Sequence, residues 1–224
     1  MLFTCLLAAL DVAAKPCPDS INISSPNVSP LVYQSDGQLQ GTAFEQLTAL
    51  MAKYDVNAKV NIMLWARALK QAEDGSVEGI FPALKSSERE KFLYYVENPI
   101  GQVTIVLYSS DDSPYASGKN LEVTSDNTIG TLRALEYTSL DLHGADVFEV
   151  NGFAQALEML RLGRVDFVIA VKEITDLYIK AHHIHDLVEL KTIEQRPVYF
   201  ALAKNHINYA KNLRCFSFDE TKSK

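Results

Sequence analysis

Cysteine is scarce in this chain. Three residues in 224, Cys5, Cys17 and Cys215, exclude a disulfide framework or a zinc ribbon and leave room for at most one bridge. Basic residues are outnumbered, with 21 Lys and Arg against 28 Asp and Glu and a formal charge of -7. No broad cationic surface is therefore available for a nucleic-acid backbone, and nucleic-acid binding is not expected. No apolar run reaches the roughly 18 residues that a bilayer-spanning helix needs. Also missing are a Gly-x-Ser-x-Gly nucleophile elbow, a P-loop and a dinucleotide-binding glycine fingerprint, which removes the usual hydrolase, nucleoside-triphosphatase and Rossmann signals. The one metal-like cluster is His182-His183-Ile184-His185. Adjacent histidines at a helix end point apart and no cysteine lies nearby, so neither a metal nor a cofactor is expected.

What remains is an ordinary globular balance, 47% hydrophobic and 22% charged, enough for one large domain or two small lobes. The segment Leu2 to Leu10 is apolar and Val12-Ala13-Ala14 puts small residues before Lys15. Residues 1–14 thus read as a secretory signal peptide, although Asp11 and the lack of an early Lys or Arg run against the pattern. The alternative is a buried N-terminal helix. Export would remove Cys5 and leave Cys17 and Cys215 in an oxidising compartment, with their pairing an open question.

Along the rest of the chain the pattern alternates. A short strand around Ile21 to Ile23 precedes a loop with Pro26 and Pro30 and an Asp36-Gly37 turn. Thr42 and Glu45 have the spacing of a capping box, and Phe44, Leu47, Met51 and Tyr54 recur at helical intervals after it. Val56 to Ile62 reads as a strand, Trp65 to Ala72 as a helix and Val77 to Phe81 as the next strand. Such an order predicts a mostly parallel sheet with helices on its faces.

The same unit recurs. Ala68 through Gly75 to Val77-Glu78 resembles Ala156 through Gly163 to Val165-Asp166, each a helix closed by glycine and followed by a strand that opens Val-acid. Both glycines suit the left-handed position that ends a helix. The repeat argues for two similar α/β lobes. The second would hold strands at Thr128 to Leu132, Val147 to Val150 and Val165 to Val171, with helices at Phe153 to Leu162 and Glu173 to Ala181. The apolar strand Val103 to Tyr108, with the polar loop Ser109 to Asn120, would carry the chain out. Val198 to Ala203 would bring it back. Two crossovers make a hinge, and a cleft that closes between lobes suits a small molecule.

These residues resemble the bacterial extracellular solute-binding proteins of family 3, the periplasmic amino-acid-binding type, over about residues 18 to 205. The resemblance rests on Trp65-Ala66-Arg67-Ala68-Leu69, Gly75, Val77-Glu78-Gly79, Ser86-Ser87-Glu88-Arg89 and the aromatic segment before Asn98-Pro99. Ile129 to Arg133, Tyr137 and Gly163-Arg164-Val165-Asp166 carry it into the second lobe. It implies a two-lobed periplasmic-binding-protein-like fold of type II, each lobe a mostly parallel sheet flanked by helices, joined by a two-strand hinge. The expected bounds are 15–105 with 197–224 for lobe 1 and 106–196 for lobe 2. The implied role is capture of a small, carboxylate-bearing solute in the periplasm by a monomer, for an ABC importer permease or a sensor kinase.

The resemblance places Arg89 at the position that clamps a ligand carboxylate, a task suited to a planar guanidinium. A surface ion pair with Glu88 or Glu90 is the alternative. Trp65 matches the aromatic that stacks on the ligand, and equally suits a core. Arg67 points into the cleft or into solvent. Arg133, Glu136 and Tyr137 fall at the strand-to-helix turn where backbone N–H groups hold anions in relatives, with Ala134 in place of the usual glycine. Tyr33 belongs to the loop that lines the cleft, or to a hairpin.

Several positions depart from the pattern. Val171 stands where relatives carry an acid for the ligand's ammonium, so a standard α-amino acid is a doubtful ligand. Phe81, Pro82 and Leu84 replace small polar residues, Val28 replaces an aromatic, and the cleft is expected to be less polar. The ending Arg214 to Phe218 reads as truncated, which would leave lobe 1 short of a helix. An enzyme is not expected. A cyclohexadienyl-dehydratase-like reading would need a proton-moving group, with Glu136 and Glu45 as candidates. A third reading is a degenerate remnant that binds nothing.

Overall fold

The computed structural model describes residues 17–118, 121–135, 137 and 139–217. The expected signal peptide lies outside these. The described chain opens with β1 (Ser20–Ser25), a hairpin of β2 (Tyr33–Ser35) and β3 (Gln38–Gln40), then α1 (Thr42–Lys53), β4 (Asn57–Ile62), α2 (Trp65–Glu73) and β5 (Gly79–Leu84). A single turn, α3 (Ser87–Glu90), a short β6 (Leu93–Tyr95) and a long β7 (Gly101–Ser110) follow. Next come β8 (Thr128–Leu132), β9 (Asp146–Val150), α4 (Phe153–Arg161), β10 (Phe167–Val171) and α5 (Lys172–Ala181). The 17-residue β11 (Leu187–Ala203) and α6 (Tyr209–Phe216) come last.

One mixed sheet holds nine strands in the order β4-β1-β5-β11-β7-β10-β8-β9, with β6 also paired to β11. Read inward from one edge the order is β4-β1-β5-β11, and from the other β9-β8-β10-β7. The two halves therefore share one plan. In each, three strands run parallel and the fourth, from the β7/β11 pair, runs antiparallel to them. Strands β7 and β11 pair from Leu187↔Ser110 to Val198↔Gly101. They join the halves into a two-lobed α/β fold.

The repeated sequence unit makes the same local structure twice. Gly75, φ 71°, and Gly163, φ 62°, end α2 and α4 in the left-handed region. The next residue closes each turn, with Ser76 N donating to Gln71 O at 2.9 Å and Arg164 N to Met159 O at 2.8 Å. The acids then bind the neighbouring strand. Glu78 Oε2 accepts from Asn22 N at 2.8 Å, and Asp166 Oδ2 accepts from Thr128 N at 2.8 Å. Each acid thus fixes the start of the strand beside it, which sets register by an ionised acceptor on a backbone donor.

One expectation is corrected. Thr42 and Glu45 form no capping box. The residue before α1 is Gly41, φ 122°, no side chain caps the helix, and Glu45 N donates to Gly41 O at 2.9 Å. A Cβ on Gly41 would stand 2.4 Å from Leu31 O. The chain therefore enters α1 through a backbone conformation open only to glycine, and Thr42 is already helical. At the end of the described residues α6 forms and buries Asn212, Cys215 and Phe216. Phe216 packs edge-on against Tyr54 and Phe200 at 5.2 and 5.4 Å. Cys215 is joined to Cys17, 198 positions away, by a disulfide. This bridge ties α6 to the start of β1.

Candidate functional site

All six parallel strands end at one cavity. Its volume is about 700 Å³, within the range of pockets that take drug-sized ligands. From the first half come Val28 in the loop after β1, Ile62 to Trp65 between β4 and α2, and Pro82 and Leu84 of β5. The second half supplies Leu132, Ala134 and Leu135 after β8, Asn151 to Ala154 between β9 and α4, and Val171 at the end of β10. Val103 and Val198 of the crossing strands form the floor. The carboxyl ends of parallel strands leave such a crevice because the following loops turn away to opposite faces.

Arg89 reaches this cavity from α3. Ser86 caps that turn by accepting from Arg89 N at 3.4 Å, and Arg89 Nη1 donates to Leu84 O at 2.9 Å. Tyr95 Oη donates to the same carbonyl at 3.0 Å. Arg89 is 4% exposed. Its Nη2 crosses to the second half and donates to Ala134 O. Trp65 does the same, with Nε1 3.3 Å from Ala134 O. The neighbouring acids are engaged elsewhere: Glu88 with Lys91 and Glu90 with Lys85.

The other described ligand candidates lie outside the cavity wall. Arg67 is exposed on α2. Arg133 sits 3.6 Å from Glu149, both half exposed, and its backbone N–H donates to Val150 O at 2.7 Å. Tyr137 packs against the core, and burial, aided by the Glu149 charge, pushes its phenol up. Tyr33 pairs with Gln40 across the β2/β3 hairpin, Oη to Oε1 3.3 Å. Glu45 is exposed on α1. Glu136 lies outside the described residues. None of the residues described between Leu132 and Asp146 is helical, so the anion-holding helix start expected there is not what faces the cavity. A turn with Ala134 at φ 60° takes its place and aims a carbonyl at Arg89 and Trp65.

Sequence reasoning missed the α5 wall. Ile174, Leu177, Tyr178 and Ala181 line the cavity at i, i+3, i+4 and i+7, the spacing of one helix face. Two contacts dock α5 on β7. Glu173 accepts from Thr104 N at 3.1 Å, and Tyr108 Oη donates to Asp176 Oδ1 at 2.8 Å. Burial, then the Asp176 contact, pushes the Tyr108 phenol far up. At the rim His182 stacks on Tyr178 at 3.9 Å between centroids. The lining is apolar almost throughout, as the departures at Val28, Pro82, Leu84 and Val171 imply. Phe81 turns the other way into the core.

No family model matches the chain, and no curated protein does. Solved structures do. The arginine-bound form of truncated ArgBP from T. maritima is 15% identical with a TM-score of 0.67, over 89% of this chain and 94% of that one. A substrate-binding protein of an amino acid ABC transporter is 16% identical with a TM-score of 0.67, over 88% and 90%. A histidine kinase sensor domain with similarity to periplasmic binding proteins is 14% identical with a TM-score of 0.70, over 88% and 87%. At such identities the likeness shows the fold. It is the two-lobed fold of periplasmic binding proteins, in keeping with the family 3 resemblance read from the sequence. Among the described residues no helix is long and apolar enough to cross a membrane.

Proposed function

We propose that this chain is a periplasmic solute-binding protein that captures a small, carboxylate-bearing solute between its lobes and passes it to an ABC importer permease or reports it to a sensor kinase. The observation that carries this reading is the buried Arg89, held at the meeting point of the six strand ends with Trp65 beside it. The fold neighbours support a binder over an enzyme, since they are binding proteins and a sensor domain. The proposed lobes are 15–105 with 197–224, and 106–196, in a monomer. Their bounds fall within β7 and β11 near the paired positions Ile105↔Glu194 and Val103↔Arg196, which makes that stretch the proposed hinge.

Ligand binding to the folded form alone raises the melting midpoint by mass action. A thermal-shift screen of the protein against amino acids, dicarboxylates, aromatic acids and short peptides is expected to give a shift with one class. Arg89→Ala should abolish that shift while the variant still melts cooperatively. An unchanged shift in the variant would remove Arg89 as the anchor. A well-folded protein that responds to no compound would instead favour the remnant reading.

A further inference from the structure

The face of α5 toward the cavity has the spacing of a core-packing stripe, yet part of it borders the cavity instead of protein. Ile174, Leu177 and Tyr178 line the cavity together with Val28, Met63 and Leu64. Leu64 is 59% exposed and Leu177 41% exposed. Apolar side chains from both halves around about 700 Å³ offer little to a hydrated solute and much to a hydrocarbon surface, whose removal from water is the gain. The cation at the inner end is Arg89. Among the described lining residues there is neither Asp nor Glu, so among them an ammonium would find no carboxylate to pair with.

Resting on the solute-binding reading, we propose that the site is built for an apolar monocarboxylic acid without an α-ammonium, an arylalkanoic or branched alkanoic acid. Its carboxylate takes the place of the Ala134 carbonyl on Arg89 Nη2, as a charged acceptor in exchange for a neutral one. Its hydrocarbon part lies along the α5 stripe. The indole of Trp65 and the Ala134 turn close over the join.

Matched pairs test this by isothermal titration of the full chain. One is 3-phenylpropionate and L-phenylalanine, the other 4-methylpentanoate and L-leucine, and the members of each differ only by the α-ammonium. The acid of at least one pair is expected to bind about 100-fold tighter than its amino acid, as an uncompensated buried charge implies. The neutral 3-phenylpropionamide should bind at least about 10-fold more weakly than 3-phenylpropionate. Val171→Asp, which adds a carboxylate to the wall, should narrow the gap between acid and amino acid at least tenfold. An amino acid that binds as tightly as its partner acid would overturn the inference and leave the solute-binding reading intact. Loss of that binding in Glu136→Gln would assign the ammonium to Glu136. An amide equal to the acid would overturn the carboxylate half. Silence toward these compounds and toward the wider screen would overturn both readings together.

Discussion

The guanidinium of Arg89 lies over the indole of Trp65, 5.4 Å from Cζ to the ring centroid. Both groups come from the first half of the sheet, and both donate to the carbonyl of Ala134 in the second. The cation-π contact orients the fork, the Leu84 carbonyl holds its other nitrogen, and the Ala134 oxygen adds a contact between the halves beside the β7/β11 pair. In the proposed site a solute carboxylate on Nη2 would take the place of this carbonyl.

That acceptor is aimed by strained backbone. Ala134 has φ 60°, where an L-residue is disfavoured by about 1–2 kcal/mol. Ala134→Gly relieves the strain but gives the unfolded chain more freedom, an opposing effect of about 0.4–1 kcal/mol. The expected net result is a stability gain of about 0.5–1 kcal/mol, read as a higher urea midpoint at unchanged slope. Ala134→Val, β-branched at the same φ, should lower the midpoint. A lower midpoint for Ala134→Gly would show that the turn is not strained.

Glu78 supplies a pH-dependent share of stability. It is 4% exposed. Burial pushes its carboxyl up, but hydrogen bonds from Asn22 N and from the Asn212, Asn208 and Asn22 side chains outweigh that and hold it below the ordinary value of 4.5. A carboxyl lowered on folding contributes stability that is fully present above its unfolded value and is lost as pH falls through its folded value. Glu78→Gln offers one oxygen to four donors that now share two. It should lose about 1–3 kcal/mol at pH 7. Urea midpoints from pH 7 to about pH 3 should converge for variant and parent below the ordinary carboxylate value of 4.5. Parallel curves would show that the carboxylate is not coupled to folding.

The repeat was the most legible part of the fold, because glycine-closed helices followed by Val-acid strands leave a mark in sequence whatever the tertiary context. Strand ends were less so. β5 begins at Gly79 and runs through Pro82 to Leu84, whereas the apolar run alone suggests Val77 to Phe81. β11 extends back to Leu187 through Glu189, Lys191 and Glu194, a stretch whose charges hide a strand that only pairing with β7 makes regular. Of the site, Arg89 and Trp65 line the cavity, and the apolar replacements at Val28, Pro82, Leu84 and Val171 do too. The α5 stripe was visible as spacing, but periodicity does not distinguish a face that meets a core from one that meets a cavity. Arg133 and Tyr137 follow β8 as the resemblance implies, yet the turn at Ala134 carries them to Glu149 and the core.

The paired glycines give a test in which one motif has two different surroundings. Gly75 and Gly163 both sit at positive φ, 71° and 62°, so alanine at either should lose about 1–2 kcal/mol from backbone strain. At Gly163 nothing lies within 4 Å of a Cβ, while at Gly75 a Cβ would stand 2.3 Å from Asn205 O. Asn205 is itself held, with Nδ2 donating to Glu73 O at 2.7 Å, and it follows directly on β11. Gly75→Ala must therefore push the chain between β11 and α6 away from α2, a displacement that a flexible side chain would absorb and a backbone does not. Chemical denaturation should place Gly163→Ala about 0.5–1 kcal/mol below the parent once the lost freedom of the unfolded chain offsets part of the strain, and Gly75→Ala clearly lower still. Equal losses at the two sites would mean that the segment at Asn205 yields freely, and that the first lobe is not locked by its return strand.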